Sequence, residues 1–479
     1  MMPESNVDET ARSAAGNAEP LMPAEYGLPM ATFVIVASMV GSGVLTTSGF
    51  TMLEVGSNAW MLLLWTLGGL TAICGALTLA ELSAALPKTG GDYVYLHEAY
   101  GPLPAFLSGW VSFVIGFAAP AAATASGSAS YLLAPWRSPG SGRSILEPIL
   151  ATVLILGFAV IHVLSRRQSS NVQGWITAIK LVVLGGFAIV GLIAGWPHLD
   201  NLADLHPAAG PPDPFKMLSS LVYISYAYVG WNAASYLAGE IRDSQRLLPR
   251  AILIGTGGVM VLYLAVNAVY AMALTPADIR AIIADAGGDA RAVTAIAELA
   301  ANRLFGKGWS EVLSVAAGLM LLSSLSAYLL IGPRVIYAMA TAGQFPAIAA
   351  RLTPRARTPA IATAFQVAVA LVLPWIGSVQ EIILYAGVGL SIFSMLSMSS
   401  IYVLRRTRPD LPRPFRTPGY PVTPAIFLVL TGMMTLAAFG QHPTVSIYSL
   451  LSILAGVPIY YAWQWSGNRS RPTPEQVGS

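Results

Sequence analysis

The sequence predicts an all-α integral membrane protein, and two observations carry this prediction. The 479 residues are 55% hydrophobic and only 10% charged, whereas soluble domains carry about 25% charged residues. The apolar runs are about 20 residues or longer, which suits membrane-spanning helices and not the shorter alternating strands of a membrane β-barrel. The net charge of +3 is too small to indicate binding to nucleic acid.

Twelve apolar segments are long enough to cross a bilayer as transmembrane helices. They cover approximately residues 28–54, 57–84, 99–134, 145–164, 171–195, 215–240, 249–275, 311–341, 359–376, 379–404, 420–440 and 444–465. An even number of crossings places both chain ends on one side, and most of the 26 lysines and arginines fall in segments on that side. The positive-inside rule therefore predicts a multi-pass protein of the cytoplasmic (inner) membrane with both ends cytoplasmic.

The two ends of the chain are polar. Residues 1–27 contain several acidic residues but only Arg12 as a base, and they lack the basic start and apolar centre of a secretory signal. Residues 466–479 are similarly poor in apolar side chains. We expect both segments to be disordered cytoplasmic tails.

The tripeptide Gly41-Ser42-Gly43 interrupts the first apolar segment, which otherwise runs from Met30 to Phe50. Irregular backbone at membrane depth is tolerated only where it is packed in protein or lines a cavity. A helix broken there presents amide groups on one side and carbonyl groups on the other, which together can hold the carboxylate and ammonium groups of an amino acid. The alternative is that these small residues only allow close helix packing.

The sixth segment is also unusual, because polar and aromatic residues crowd its centre between Ser219 and Ile241. Interrupted helices at corresponding positions of two halves are the best indication of a carrier's binding site. An aromatic ring such as that of Tyr226 or Trp231 can close over a substrate there, although either ring can also be a packing residue. Tyr226 is the stronger candidate for a gate.

The pairing of segments one and six predicts how the twelve helices are organised. We expect a first five-helix repeat over residues 28–195 and a second, inverted repeat over residues 215–404. Helices 1 and 6, the first helix of each repeat, are then the broken ones. Residues 420–465 supply two additional helices.

Lys180 lies about ten residues inside the fifth apolar segment. A buried lysine costs several kcal/mol unless it is paired or neutral. One interpretation is that its stem lets the ammonium reach the inner surface. The other is that the ammonium bridges helices in place of a coupling cation, or gains and loses a proton.

Two acidic residues, Glu81 and Glu240, lie at the inner ends of segments two and six. We expect interfacial ion pairs with Arg242 or Lys88, and the alternative is a role in an inner gate. The single cysteine excludes an internal disulfide, and the five histidines are scattered. The sequence therefore predicts no metal site, no cofactor and no enzyme.

Several stretches resemble the amino acid–polyamine–organocation superfamily of transporters over most of residues 25–465. They are VGSGV (40–44), AELSAALPKTGGDYVYLHEAYGPLPAFLSGW (80–110), AYVGWNAASYLAGEIRDSQRLLPRAI (227–252), GPRVIYAMATAGQFP (332–346) and RPFRTPGYPVTP (413–424). The Gly-Trp-Asn of the sixth segment resembles the L-type amino acid transporters and their bacterial relatives. Val229 departs from this pattern, since that branch often has a glycine there.

The resemblance implies which residues contact the substrate. The amides of Ser42, Gly43 and Val44 would hold its carboxylate. Carbonyl groups near Met39, Val40, Tyr226 and Val229 would hold its amino group, with Tyr226 at the position of an aromatic gate. The full set of candidate substrate-binding residues is Met39, Val40, Gly41, Ser42, Gly43, Val44, Tyr226, Val229, Gly230, Trp231 and Asn232. Lys180 matches a family lysine that occupies a vacant sodium site, with Ser323 and Ser324 as neighbours in segment eight.

These observations predict a secondary active transporter that moves amino acids by alternating access. No acidic or basic residue adjoins either interruption in the sequence, which favours neutral substrates. A cationic amino acid or polyamine carrier and a non-transporting amino-acid sensor are alternatives. Exchange and proton symport are both compatible with Lys180, so protons stay open as a coupling partner. The chain resembles bacterial members in lacking a cysteine for a partner disulfide, and we expect no obligatory accessory subunit.

Overall fold

The computed structural model describes residues 24–41, 43–133, 145–202, 213–285, 293, 296–306, 308–376 and 379–467. Within these ranges the chain is helical and contains no strand. Its only β-type pairing there is an isolated bridge between Tyr26 and Ile241.

The α-helices are α1 Leu28–Met39, α2 Gly43–Val55, α3 Asn58–Ala85, α4 Asp92–Tyr100, α5 Pro102–Val111, α6 Ala118–Leu133, α7 Leu146–Leu164, α8 Arg166–Gly195, α9 Pro214–Ala227, α10 Ser244–Ala273, α11 Pro276–Asp285, α12 Ile296–Phe305, α13 Trp309–Thr341, α14 Ala360–Ile376, α15 Val379–Thr407, α16 Val422–Gln441 and α17 Pro443–Gly467. A π-helix, Ser112–Phe117, joins α5 to α6. Short 3₁₀-helices cover Trp196–Leu202, Ala233–Glu240 and Ala347–Ala350.

The helices follow the hydropathy of the sequence closely. In the described residues, nine helices are long and apolar enough to cross a membrane, and α1 and α14 are shorter apolar helices. The protein is therefore an all-helical, multi-pass membrane protein. The third segment begins later than predicted, at Pro102, because Gly101 adopts a φ of +89° and separates α4 from α5.

Two spans are divided in the middle. The first span ends its first half at Met39 and resumes at Gly43. The sixth span leaves α-helical geometry after Ala227, passes through turns, and continues as a 3₁₀-helix from Ala233 to Glu240. Gly230 lies in this turn with a φ of +115°, a conformation that side-chain-bearing residues rarely adopt.

The third span contains a π-helical turn at Ser112–Phe117. Pro120 follows closely and has no amide hydrogen for the carbonyl group four residues earlier, which loosens the helical hydrogen-bond ladder. Turns of this kind occur frequently near functional sites. The turn packs against α13 and α15 and faces the second half of the sixth span, where Phe117 meets Tyr236 edge-on at 5.2 Å.

The two divided spans are held between long, buried helices. α10 packs along α1 and α3, and α13 packs along α6 and α8 and also contacts α1. Because α10 and α13 both touch the first divided span, they supply the side chains that meet its interrupted backbone.

Candidate functional site

The two helix interruptions touch each other through glycine. A Cβ atom added to Gly43 would lie 2.7 Å from the Cα and Cβ atoms of Ala227, and one added to Gly230 would lie 2.8 Å from the carbonyl carbon of Ser38. Real Cβ contacts are longer than this, so glycine is required at both positions. Gly41 differs, because a Cβ atom there would meet no atom of a described residue within 4 Å, its chain neighbours apart. Ser42 lies outside the described residues.

The end of α1 is capped by side chains from three other helices. The last carbonyl groups of an α-helix have no hydrogen-bond donor within the helix and must accept from groups outside it. The hydroxyl of Tyr328 donates to the Ser38 carbonyl at 3.1 Å, and that of Tyr263 donates to the Met39 carbonyl at 2.7 Å. Tyr263 also donates to the Ala227 carbonyl at 3.1 Å, so this one hydroxyl bridges both interruptions.

Lys180 completes this cap. Its side chain is fully buried, and its Nζ donates to the carbonyl groups of Ala37 at 3.3 Å and Val40 at 2.5 Å and to the hydroxyl of Ser324 at 2.8 Å. The Ser324 hydroxyl lies 2.9 Å from the same two carbonyl oxygens. The lysine therefore joins α8, α1 and α13 and does not extend to the membrane surface.

Ser323 does not share this contact. Its hydroxyl lies 3.5 Å from that of Thr177, and its carbonyl accepts a hydrogen bond from Gln173 at 3.4 Å. Of the two serines predicted beside Lys180, the structure brings only Ser324 to the ammonium. An ionisable group therefore does lie at the first interruption, on the carbonyl side of the break, although no acidic or basic residue adjoins it in the sequence.

Tyr226 and Val229 line a small cavity behind the second interruption. The cavity has a volume of about 20 Å³, enough for one water molecule. Ser225, Ser391 and Thr435 also line it. The Tyr226 hydroxyl makes no hydrogen bond to a described residue, and the Val229 carbonyl accepts none from the described part of the chain.

Trp231 and Asn232 point away from the contact between the interruptions. The Trp231 ring packs edge-on against Phe427 at 5.7 Å and lies beside Gly75 on α3. The Asn232 amide donates to the carboxylate of Asp92 at 2.9 Å. Val44 is buried in the first turn of α2. Of the predicted substrate-binding set, the structure thus gathers Met39–Gly41, Gly43, Tyr226, Val229 and Gly230 around the two breaks.

The C-terminal end of the sixth span is held by a buried ion pair. The Arg334 Nε lies 2.9 Å from Glu240 Oε1, and both side chains are almost fully buried. The backbone amides of Glu25 and Tyr26 donate to the Glu240 carbonyl at 3.0 and 2.9 Å, so the segment before α1 is tied to the same point. The expected partner of Glu240, Arg242 or Lys88, was wrong, because the arginine comes from α13.

Glu81 also pairs with a distant arginine. Its carboxylate accepts from Arg405 at 2.9 and 2.6 Å, and the Arg413 Nε lies 3.5 Å away. Lys88, one of its expected partners, pairs with Glu98 instead. These contacts fasten the arginine-rich loop after α15 to the inner end of α3.

Asp92 is a buried acid that sequence reasoning missed. Its Oδ2 accepts from Asn232 and Tyr236, each at 2.9 Å, and its Oδ1 accepts from Ser397 at 2.8 Å. Burial raises the pKa of Asp92, whereas the three hydrogen bonds oppose that shift. The available signal was an acidic residue placed directly after Gly90-Gly91, in a stretch that otherwise becomes buried.

The described residues contain no cluster of three or more histidine, cysteine or acidic side chains that would hold a metal ion. What the arrangement supplies is backbone: carbonyl groups at one broken helix end, the amides at the start of α2, and a second broken helix in contact with the first. Such groups bind a small zwitterion by hydrogen bonds and helix dipoles.

The chain was compared with known proteins. The family model described as amino acid permease matches residues 26–462. The chain is 30% identical over 451 residues to the serine/threonine exchanger SteT of Bacillus subtilis, covering 91% of this chain and 96% of that protein. It is 28% identical to the b(0,+)-type amino acid transporter 1 of Mus musculus, covering 95% and 91%. It is also 28% identical to the large neutral amino acids transporter small subunit 2 of Homo sapiens, covering 96% and 84%.

Proposed function

The chain belongs to the amino acid permease family, a branch of the amino acid–polyamine–organocation superfamily related to the L-type transporters, and we propose that it transports neutral amino acids by alternating access. Amino acid transport by exchange or symport follows from the family and its relatives, which are transporters and not enzymes. The neutral side chain, the cytoplasmic membrane and the cytoplasmic position of both ends are our proposals.

We propose twelve transmembrane helices in two inverted five-helix repeats, over residues 28–195 and 215–404, with two additional helices over residues 420–465. The two divided spans stand first in their respective repeats, which supports this organisation. The single observation that carries the proposed function is the contact between the two breaks, where Gly43 packs on Ala227 and Gly230 on Ser38.

The substrate carboxylate binds at the start of α2, to the amides of Ser42, Gly43 and Val44. The first amides of a helix have no acceptor within it, and the positive end of the helix dipole favours an anion. This site needs no basic side chain, which is why a zwitterion of neutral side chain suits it.

The substrate amino group binds at the carbonyl group of Val229. A carbonyl oxygen has two lone pairs. The Met39 carbonyl already accepts from Tyr263 and Gly41, and the Val40 carbonyl from Lys180 and Ser324. The Tyr226 carbonyl accepts from the Val229 amide. Among the carbonyl groups that the family resemblance suggests, that of Val229 is the one that accepts no hydrogen bond from the described residues.

Two relatives are named for serine and threonine and for large neutral amino acids, which supports a neutral substrate class. The absence of an acidic side chain at the breaks opposes a cationic amino acid or polyamine, because an unpaired buried charge costs several kcal/mol. Lys180 contacts the carbonyl groups at the end of the first half of the first span. Through these contacts it controls how readily the carrier reorients.

The test is uptake by the purified chain, without any other protein, in liposomes. Labelled serine, alanine, leucine, arginine and glutamate are offered with and without internal amino acid, and with and without a proton gradient. We expect the neutral amino acids to be taken up and to compete with one another far better than arginine or glutamate does. Strong competition by arginine alone would establish the cationic carrier, and binding without uptake would establish the sensor or a need for an accessory subunit.

A further inference from the structure

Asp92 differs from the other buried acids on the inner side of the molecule. Glu81 is paired with Arg405 and Arg413, and Glu240 with Arg334. Asp92 is only 5% exposed, and in the part of the chain that the structure describes it has no cationic partner; every hydrogen bond to it comes from a neutral donor. A buried carboxylate without a cation is costly when ionised.

The three donors come from helices that must move relative to one another in transport. Asn232 and Tyr236 belong to the inner half of the sixth span, and Ser397 belongs to α15. Asp92 itself begins α4, where the helix dipole favours its ionised form. The dipole and three hydrogen bonds therefore support the charge, while burial opposes it, and the balance between them decides protonation.

Among the described residues, the ionisable groups that face Asp92 are two phenols, Tyr95 on its own helix and Tyr236. α5 has no ionisable side chain. His97 of α4 and Arg406 of α15 are exposed. Other charged groups of these elements form ion pairs elsewhere: Glu98 with Lys88 and Arg408, Glu240 with Arg334, and Arg405 with Glu81.

We propose that Asp92 is a proton-binding site that latches the inner half of the sixth span to α15 when ionised and releases it when protonated. An ionised carboxylate accepts all three hydrogen bonds. On taking a proton from the cytoplasmic water, one of its oxygens becomes a donor. The hydrogen bonds that join Asp92 to Asn232, Tyr236 and Ser397 are then made by a neutral acid and are weaker than those to a carboxylate, so the inner half-span separates more readily. Acid on the inner side would therefore speed opening.

This inference rests on the proposed transport function and orientation. It is tested by amino acid exchange in liposomes, with the pH on the cytoplasmic face varied and the other face held constant. For the natural chain we expect a rate that rises toward acid pH through one midpoint. Asp92→Asn imitates the protonated acid, so its rate should be independent of pH and close to the acid limit of the natural chain.

Two further variants separate titration from a merely structural role. Tyr236→Phe removes one of the two donors of the sixth span and keeps the link through Asn232 and Ser397. The lost hydrogen bond favours the ionised form, so this variant should keep the pH dependence and move the midpoint up by about one pH unit, the equivalent of one hydrogen bond to a charged group. Glu98→Gln changes another acid of the same helix and should leave the midpoint unchanged. If Asp92→Asn cannot be purified, the Tyr236→Phe midpoint decides the question.

The outcomes are distinct. A natural chain that moves no amino acid at any pH contradicts the transport function itself. A natural chain that transports but whose pH profile persists in Asp92→Asn, or whose midpoint is unmoved by Tyr236→Phe, overturns the Asp92 latch and leaves the transport function standing.

Discussion

Replacing Gly41 with alanine should weaken substrate binding without disturbing helix packing. A methyl group on Gly41 would meet no atom of a described residue within 4 Å, its chain neighbours apart. The same change at Gly43 would bring the methyl carbon to 2.7 Å from two atoms of Ala227. The two glycines stand two residues apart in one interruption, so they form a matched pair in which only one variant collides with the protein.

The magnitudes differ accordingly. Overpacking a tight site costs about 1–3 kcal/mol, so Gly43→Ala should destabilise the fold by that amount. Gly41→Ala should stay within about 1 kcal/mol of the natural chain, or gain slightly from the reduced freedom of the unfolded chain. If the added methyl displaces the carboxylate from one amide, the loss of a hydrogen bond to a charged group, about 1.5–3 kcal/mol, weakens binding roughly 10- to 150-fold.

The assay combines thermal unfolding in detergent with equilibrium binding of a labelled neutral amino acid. We expect Gly41→Ala to unfold like the natural chain and to bind weakly, and Gly43→Ala to unfold at lower temperature. Natural affinity in Gly41→Ala would refute the placement of the substrate carboxylate at this interruption. A large loss of stability in Gly41→Ala would show that the space beside it is occupied by protein.

Three further changes test the surrounding groups. The Tyr226 hydroxyl has no hydrogen bond to a described residue, so Tyr226→Phe should transport almost normally. Tyr226→Ala removes the ring and should raise the KM for uptake. Equal, negligible effects of both changes would make Tyr226 a packing residue. Lys180→Ala should impair transport more than equilibrium binding. If proton-driven accumulation is lost while exchange is retained, Lys180 is a proton-coupling group. Normal transport by Lys180→Ala would refute any coupling role. Arg334→Gln should destabilise the fold by about 3–5 kcal/mol, because Glu240 would remain buried as a charge, and an unchanged unfolding temperature would contradict that burial.

Much of the fold follows from hydropathy alone. The apolar segments predicted the helices to within a few residues, because lipid requires each crossing to satisfy its own backbone hydrogen bonds. The interruptions at Gly41–Gly43 and near Gly230 were visible because glycine and polar residues stand out in an apolar run. The contact of Lys180 with Ser324 was expected from the family resemblance, which suggested both Ser323 and Ser324 as neighbours.

The partners of the buried acids were not predictable in the same way. Glu81 meets Arg405, and Asp92 meets Ser397, across more than 300 residues of chain. Lys88 is nearer to Glu81 in the sequence and carries the same charge as Arg405. Only the packing of α15 decides which of the two pairs with Glu81. The orientation of the Asn232 side chain was not predictable either, because a turn between two half-helices can direct a side chain to either side.

The hydroxyl of Tyr263 carries a single proton and faces two carbonyl oxygens, at 2.7 Å from Met39 and 3.1 Å from Ala227. The two acceptors therefore compete for one donor, and neither bond reaches full strength while both are near. When the divided spans part, the bond that remains shortens as the other lengthens. The hydrogen-bond energy lost at one carbonyl group is largely recovered at the other. The Tyr263 hydroxyl therefore adds little to the barrier for reorientation and keeps an acceptor throughout.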